Sequence, residues 1–280
     1  MMGSLYSGIT GLRANKEAMN VIGDNIANSN TPGFKSARLS FANVLNQTIA
    51  RNTGDFSHNQ IGNGVQIARV NYSWLQGSQE TTGNMTDLSI SGNGFFIVND
   101  NDGSSYYTRA GNFGFDKDGQ LVNPFGYVAQ GYDLVANPVL PDPPPDPVDI
   151  VIDLDQYKNI YVDQEGIFYG IDSTIAEGDP GYGEQVALYQ ISLAEFKNIT
   201  DLGKLGENLW AATSGSGVAS HGIPGSGNLG DVTPGTLELS NVDLATEFVN
   251  MIVAQRAFQA NSRVITTSDE MLQELISIKR

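Results

Sequence analysis

Few side chains in this sequence could perform chemistry. There are two histidines and no cysteine, so a thiolate nucleophile, a disulfide and a cysteine-ligated metal are excluded by composition. His58 and His221 both lie in Gly-rich polar stretches, and neither belongs to a recognisable nucleophile motif with a serine and a carboxylate. We therefore expect no catalytic residue.

Two aspartate-rich segments, residues 100–103 (DNDG) and 116–119 (DKDG), look like the opening of a calcium-binding loop. A complete loop needs an acidic residue at its twelfth position, which is Gly111 for the first segment and Tyr127 for the second. Because that carboxylate is missing and Asp-Gly is a common hairpin turn, we interpret both segments as hairpin turns, together with residues 163–166. We expect no metal, and no cofactor.

A different class of function would be a secreted β-rich binding or glycan-active protein with oligomerising helices at its ends. Its chemistry would have to come from a carboxylate pair such as Asp153 and Asp155. Nothing in the surrounding sequence would tune one of these groups as an acid, so this hypothesis stays secondary.

Charge is unevenly distributed along the 280 residues. The net charge is −16, but residues 1–40 carry +2 and residues 241–280 carry −1, so residues 41–240 carry −17. Nearly neutral ends can pack against copies of themselves, whereas like charge keeps the middle solvated. Nucleic acid and anionic membranes both attract clustered Lys and Arg, so neither is an expected partner.

The first 20 residues have neither the basic start nor the continuous apolar stretch of a secretory signal. No apolar run approaches the roughly 20 residues that span a bilayer. We expect a protein that stays in the cytoplasm or is exported by a route that cleaves nothing.

The N-terminal segment predicts an amphipathic helix. Its apolar residues recur every seven positions over four repeats, and Ile9 and Ile22 lie on the same side. The repeating residues are Leu5, Leu12, Met19 and Ile26.

The C-terminal segment shows the same spacing over five repeats and predicts a second helix. Asn241 or Asp243 could cap its start, and Glu247 suits the positive end of the helix dipole. The apolar column consists of Leu244, Met251, Phe258, Ile265 and Leu272. The second column is small or polar and is one of two sets, either Ala254, Asn261 and Ser268 or Gln255, Ser262 and Asp269.

Both apolar columns need a partner, because an isolated helix of this kind is only marginally stable in water. We expect the two helices to pack together in a coiled-coil-like arrangement and their remaining apolar surface to drive polymerisation. The alternative is that each helix packs on the β core of its own chain.

Residues 27–35 (ANSNTPGFK) predict the end of the first helix. Asn tolerates left-handed backbone, Pro32 cannot extend a helix, and Pro32-Gly33 fits the central pair of a type II turn. Phe41, Val44, Leu45 and Ile49 suggest a short second helix or an extended arm. Residues 50–64 form a candidate inter-subunit arm, and residues 65–75 alternate irregularly, as in a strand.

The middle of the chain predicts many short strands. Apolar or aromatic runs recur between Gly, Asn and Asp residues, as in a small β-sandwich or barrel. Residues 137–149 contain six prolines and predict a spacer. The runs are 88–90, 94–98, 106–109, 113–115, 120–122, 127–130, 150–154, 160–162, 167–169 and 186–193.

The two ends together resemble the axial proteins of the bacterial flagellum, the rod and hook family. At the N-terminal end the likeness lies in residues 25–34, where a helix ending in Ala27 and Asn28 is followed by Thr31, Gly33 and Phe34. At the C-terminal end it lies in residues 240–244 (SNVDL), 248–252 (FVNMI) and 255–258 (QRAF). In the middle it lies in residues 92–96 (GNGFF) and 107–113 (YTRAGNF), so that it covers roughly residues 1–135 and 186–280.

Within that family, residues 187–196 (ALYQISLAEF) and 260–280 are most similar to the hook protein, with the distal rod protein as the alternative. Many hook proteins carry large outer domains where this chain has only residues 136–185. The resemblance implies a structural subunit without enzymatic activity that polymerises into a tube and, as a hook, passes motor torque to the filament through a flexible joint.

The resemblance also implies the partners and the location. The partners would be copies of the chain, the distal rod and hook–filament junction proteins, the hook cap during assembly, and the flagellar type III export apparatus. The location would be extracellular, in the hook and basal body of the flagellum.

The predicted fold class is α+β, with paired terminal helices and a mainly β middle. We predict a helical inner domain from residues 1–40 and 241–280, an arm or linker over 41–75, and a β domain from 76–135 and 186–240. Residues 136–185 would form a small Pro-rich insertion with short strands.

Overall fold

The computed structural model describes residues 2–44, 47–48, 60–100, 102–135, 141, 144–173 and 183–278. His58, residues 50–59 of the candidate arm, and parts of the Pro-rich insertion lie outside these ranges. The chain forms two compact units. The helical unit comprises Met1–Ser29, Lys35–Trp74 and Val242–Arg280, and the β unit comprises Asn30–Phe34 and Leu75–Asn241.

The helical unit contains both predicted helices. Its elements are α1 (Met2–Ala27), β1 (Ala37–Asn43), β2 (Gln47–Thr48), β3 (Gln60–Ile61), β4 (Val65–Tyr72) and α2 (Leu244–Ile278). α1 and α2 pack against each other, which confirms the predicted pairing of the terminal helices. Neither helix in the described part of the chain is long and apolar enough to cross a membrane.

Strands β1 and β4 form an antiparallel pair that packs on α1. The register runs from Ala37 opposite Tyr72 to Asn43 opposite Val65. The suggestion of a short helix here is wrong for the described residues. Arg38 and Ser40 alternate with Leu39 and Phe41, which is a period of two and belongs to a strand.

The β unit contains seventeen strands in its described residues. In chain order they are β5 (Gln79–Thr81), β6 (Leu88–Ser91), β7 (Phe95–Asn99), β8 (Ser105–Thr108), β9 (Gly114–Phe115), β10 (Leu121–Val122), β11 (Val128–Asp133), β12 (Val148–Asp149), β13 (Tyr157–Val162), β14 (Ile167–Asp172), β15 (Gln185–Ile191), β16 (Leu193–Glu195), β17 (Gly203–Gly206), β18 (Leu209–Ala211), β19 (Ser220–Gly222), β20 (Asp231–Pro234) and β21 (Thr236–Glu238). A 3-10 turn spans Ile199–Asp201.

Thirteen of these strands form one sheet with the path β13-β14-β15-β11-β7-β8-β18-β17. Strands β9, β10, β12, β16 and β19 join it off this path, and β6 with β20 and β5 with β21 form separate antiparallel pairs. The fold is therefore α+β, as predicted, but the sheet does not close into a barrel. The core contains large side chains with no exposed surface, among them Leu88, Ile90, Phe96, Leu121 and Phe168.

One predicted strand is wrong in part. Residues 150–154 do not form a regular strand: Val151 makes an isolated bridge to Gln120, the Ile150 N–H donates to the Ala129 carbonyl over 3.0 Å, and the Ile152 N–H donates to the Gly119 carbonyl over 2.8 Å. The chain turns after Asp153, whose carbonyl accepts the Tyr157 N–H over 2.9 Å. Within the Gly-rich stretch that contains His221, Ser220–Gly222 form β19, since they pair with β16.

Candidate functional site

The aspartate-rich segments are hairpin turns in the structure. β7 and β8, β9 and β10, and β13 and β14 are antiparallel neighbours joined by residues 100–104, 116–120 and 163–166. In each turn a glycine at positive φ donates its N–H to the carbonyl of the leading aspartate, over 2.8 to 2.9 Å. The described part of the chain contains no group of three or more side chains suited to hold a metal ion.

The two remaining candidate residues, His221 and Asp153, make contacts within the β unit. His221 lies in β19 opposite Ala194, and burial lowers its pKa, which the charge of Asp146 opposes. Asp153 accepts N–H bonds from Asp155 over 2.9 Å and from Gln156 over 3.3 Å, so its carboxylate forms a local turn. Asp153 therefore has a structural role, and His221 Nδ1 is buried without a hydrogen-bond partner among the described residues.

The helices meet along a line of small residues, which we call the α1–α2 seam. A Cβ atom added to Gly8 would lie 3.0 Å from Ile265 Cγ1 and 3.5 Å from the Asn261 carbonyl oxygen. At Gly11 it would lie 2.7 Å from Asn261 Nδ2. The absence of side chains at these glycines is what lets the helix backbones approach so closely.

The second column of α2 is the set Ala254, Asn261 and Ser268, and this settles the choice that the sequence left open. Ala254 and Ser268 are buried, and Ser268 Oγ lies 3.2 Å from the hydroxyl of Ser4 on α1. Asn261 is half-buried against Gly11. The seam is therefore small and polar on both helices.

The predicted apolar columns are partly exposed, although Ile265 also contacts the seam at Gly8. None of the nine residues is buried within the chain. Leu244 and Phe258 are exposed, and the other seven, Leu5, Leu12, Met19, Ile26, Met251, Ile265 and Leu272, are partly exposed. Apolar side chains along both helices therefore remain at least partly exposed to solvent.

Asn25 is a residue of this unit that sequence reasoning missed. Its side chain is 1% exposed, accepts the Ala37 N–H over 2.9 Å and donates to the Ala37 carbonyl over 2.8 Å. Its amide also reaches the carboxylate of Glu247 over 3.3 Å. One buried amide therefore ties α1, β1 and α2 together; a polar residue amid the apolar pattern was the only signal in the sequence.

Asp243 caps the start of α2. Its carboxylate accepts the Ala245 N–H over 3.1 Å and a hydrogen bond from the Thr246 hydroxyl. Hydrogen bonding to the Thr246 side chain and to the Ala245 backbone lowers the pKa of Asp243. Of the two caps that the sequence allowed, Asp243 makes these bonds.

The family-motif residues divide between the two units. Ala27 is the last residue of α1, and Asn28 bonds back to Asp24 through its backbone and side chain. Thr31, Gly33 and Phe34 belong to the β unit, where the Phe34 N–H donates to the Thr31 carbonyl and Gly33 has a φ of +69°. This is the turn that Pro-Gly favours.

Backbone and side-chain groups of the β unit hold residues 31–34 in place. The Gly33 N–H donates to the Glu238 carbonyl over 2.8 Å, and Asn208 donates to the Pro32 carbonyl over 2.9 Å. Phe34 is 2% exposed, and Lys204 Nζ lies 4.8 Å from the centre of its ring. A Cβ on Gly33 would come within 2.5 Å of the Ala110 nitrogen, so no larger residue fits.

Beside this segment the β unit contains a buried ion pair. Arg109 Nη1 lies 3.4 Å from Glu238 Oε2, and both side chains are almost fully buried. Arg109 also donates to the Gly92 carbonyl over 2.9 Å, while Glu238 accepts the Gly77 N–H over 2.9 Å. Burial lowers the pKa of Arg109, and the charge of Glu238 opposes this shift.

Comparison with known proteins finds similarity at both ends and in the middle. The family model for the flagella basal body rod protein matches residues 5–35, that for the flagellar hook protein FlgE/F/G D1 domain matches residues 89–170, and that for the flagellar basal body rod FlgEFG protein C-terminal matches residues 233–278. These segments include α2, most of α1 and residues 25–34.

The relatives that align over the full length of the chain are flagellar rod and hook proteins. The chain is 40% identical to the flagellar basal-body rod protein FlgG of Bacillus subtilis over 287 positions that cover 100% of both chains. It is 36% identical to the protein of the same name from Borreliella burgdorferi, again over 100% of both. Identity to the flagellar hook protein FlgE of Salmonella typhimurium is 28% over 413 positions, covering 99% of this chain and 100% of that protein.

Proposed function

Because this chain belongs to the flagellar rod and hook protein family, we propose that it is a structural subunit of the distal rod, which it builds by polymerising with copies of itself. The sequence analysis favoured the hook and kept the distal rod as the alternative. The comparisons favour the rod.

The observation that carries this proposal is how the relatives align. The rod protein of Bacillus subtilis aligns over 287 positions with the 280 residues of this chain, so few insertions are needed. The hook protein of Salmonella typhimurium needs 413 positions, so much of it has no counterpart here. The length of this chain therefore matches the rod protein better than the hook protein.

Polymerisation is supported by apolar surface on the helical unit. Phe248, Val249, Ile252 and Val253 of α2 are each more than half exposed, and Tyr6 of α1 is 60% exposed. Contiguous apolar surface of this kind marks a protein contact, since water disfavours it. We propose that the nine residues of the apolar columns, together with this surface, form contacts between copies.

The proposed partners and location follow from the same assignment. The subunit would contact the neighbouring axial proteins of the flagellum at either end of the distal rod, and it would reach them through the flagellar type III export apparatus. Its place would be the basal body outside the cytoplasm, with the helical units of many copies forming the wall of a tube.

Charge placed in the apolar columns tests polymerisation. We expect Leu12→Asp and Phe258→Asp to abolish tube formation by the full chain, while near-ultraviolet circular dichroism of the β unit is unchanged. Gln255→Asp, an exposed substitution with the same change of charge on α2, is the control and should still polymerise. Tubes formed by the two apolar-column variants would contradict the proposal.

Electron microscopy of basal bodies from a strain without this gene distinguishes rod from hook. A distal rod subunit predicts rods that stop short, with neither distal rod nor hook. Complete rods that lack only the hook would overturn the rod assignment in favour of the hook.

A further inference from the structure

The helical unit contains a groove between α1, β1 and the first turns of α2, with a volume of about 620 Å3. Its apolar lining includes Ile22 of α1, Leu39 and Phe41 of β1, and Val253 of α2. Phe41 and Val253 are 48% and 61% exposed. A cavity of this size accepts several apolar side chains, and no described segment of the chain fills it.

The groove lining contains one basic and one acidic side chain, Arg38 and Glu247. Arg38 is exposed and lines the groove, and Arg69 lies on the paired strand opposite Ser40. Strands β1 and β4 contain no acidic residue, so together they carry a net charge of +2. The one carboxylate in the lining, Glu247, is hydrogen-bonded to Asn25 over 3.3 Å.

The last turns of α2 carry an apolar face and acidic side chains, which are opposite in charge to Arg38. Met271, Leu275 and Ile278 follow the spacing i, i+4, i+7, so they form one apolar face, which we call the distal stripe. They are 47%, 49% and 81% exposed. Residues 269–278 carry three acidic side chains and no basic one, and of these Glu270 and Glu274 lie along one edge of the stripe.

A chain cannot place its own distal stripe in its own groove. Val253, in the groove lining, and Leu275 are 22 residues apart on one continuous helix, which corresponds to about 33 Å along the axis. A second copy of the chain is therefore the occupant that this chemistry fits.

We propose that the distal stripe of one copy docks in the groove of the next copy, with Glu270 and Glu274 facing Arg38. This inference rests on the proposed self-assembly and names one of its contacts. It is a helix-in-groove contact with apolar anchors at i, i+4 and i+7. Because stripe and groove are different surfaces at opposite ends of α2, each docked copy leaves a free stripe and a free groove, and growth continues as an open polymer.

Engineered cysteines test the contact directly, because the chain has none of its own. In the full chain we expect Phe41→Cys with Leu275→Cys to give a ladder of covalent multimers after oxidation of the assembled protein. An equal mixture of the two single variants should stop at the covalent dimer. Phe41→Cys with Val264→Cys is the control, since Val264 is 42% exposed but lies about 16 Å from Leu275 along the helix.

Charge reversal gives a second readout. We expect Glu270→Lys with Glu274→Lys to raise the protein concentration needed for assembly about tenfold, and added Arg38→Glu to recover most of that loss. Arg256→Glu, on an exposed position of α2 outside the stripe, should leave the concentration unchanged.

The outcomes separate this contact from the proposed function. Polymer with no ladder, or with equal ladders from the Leu275 and Val264 pairs, would overturn the docking contact and leave the rod assignment standing. If the assembled protein gives the ladder but a strain without this gene still builds complete rods, the contact stands and the rod assignment is wrong. A chain that stays monomeric at high concentration would overturn both.

Discussion

The two units of this molecule bury apolar side chains in opposite ways. In the β unit, Leu88, Ile90 and Phe168 have no exposed surface. In the described residues of the helical unit, the buried apolar residues are three alanines, Ala14, Ala37 and Ala254, while large side chains such as Phe248 stay half exposed. The comparison teaches that the β unit buries its large apolar side chains within one chain, whereas the helical unit leaves them partly exposed, as expected if other copies cover them in the proposed polymer.

A matched pair of phenylalanine truncations, one in each unit, tests this difference with the largest expected effect. We expect Phe168→Ala, in the core of the β unit, to lower the free energy of unfolding by about 3–5 kcal/mol, because it removes buried contacts and leaves a cavity. Phe248→Ala, 52% exposed on α2, should cost the monomer under about 1 kcal/mol. Denaturant unfolding of monomeric protein measures both, and equal losses would refute the contrast.

The ion pair tests whether the β unit also depends on buried polar groups. We expect Glu238→Gln to cost about 3 kcal/mol of unfolding free energy, because it leaves the Arg109 charge buried without its partner. Asp118→Asn removes the exposed partner of Lys117 and should cost under about 1 kcal/mol. Similar midpoints of chemical unfolding for the two variants would show that burial does not matter here.

Asn25 offers the same test for the helical unit. We expect Asn25→Ala to cost about 1–3 kcal/mol, because the N–H and carbonyl of Ala37 lose their partner in a buried place. Asn20→Ala, which removes an exposed bond to Glu17, is the control and should change stability by less than about 0.5 kcal/mol. Amide hydrogen exchange at Ala37 should accelerate in the first variant alone.

The smallest expected effect is a pH dependence at the start of α2. The pKa of Asp243 is lowered by folding, so the stabilisation that it provides is fully present above its unfolded value of about 4 and is lost as pH falls through the folded value. The protection of the amides of residues 244–248, calculated against the intrinsic exchange rate at each pH, should therefore fall on acidification. Asp243→Asn should weaken this dependence; an identical pH profile in the variant would assign it to another group.

The sequence predicted both helices and left two sets of residues open for the second column of α2. A seven-residue spacing identifies α1 and α2, but every column of a helix repeats with that spacing, so the period cannot say which column meets the partner. The structure places Ala254, Asn261 and Ser268 in the seam. Gly8 and Gly11 were not predicted to face them, because their role is the close backbone approach that a missing side chain permits. Asn25 escaped notice because its partners come from β1 and α2.

The local chemistry of the chain determined the helix ends, the Asp-Gly hairpins and the turn at Pro32-Gly33, since each depends on a few adjacent residues. Only the tertiary structure decided that thirteen strands join in one open sheet, that Arg109 meets Glu238, and that the groove and the distal stripe lie at opposite ends of α2. These features bring together residues that are distant in sequence. Burial of their side chains stabilises the contacts, and a local sequence pattern does not show which residues are buried together.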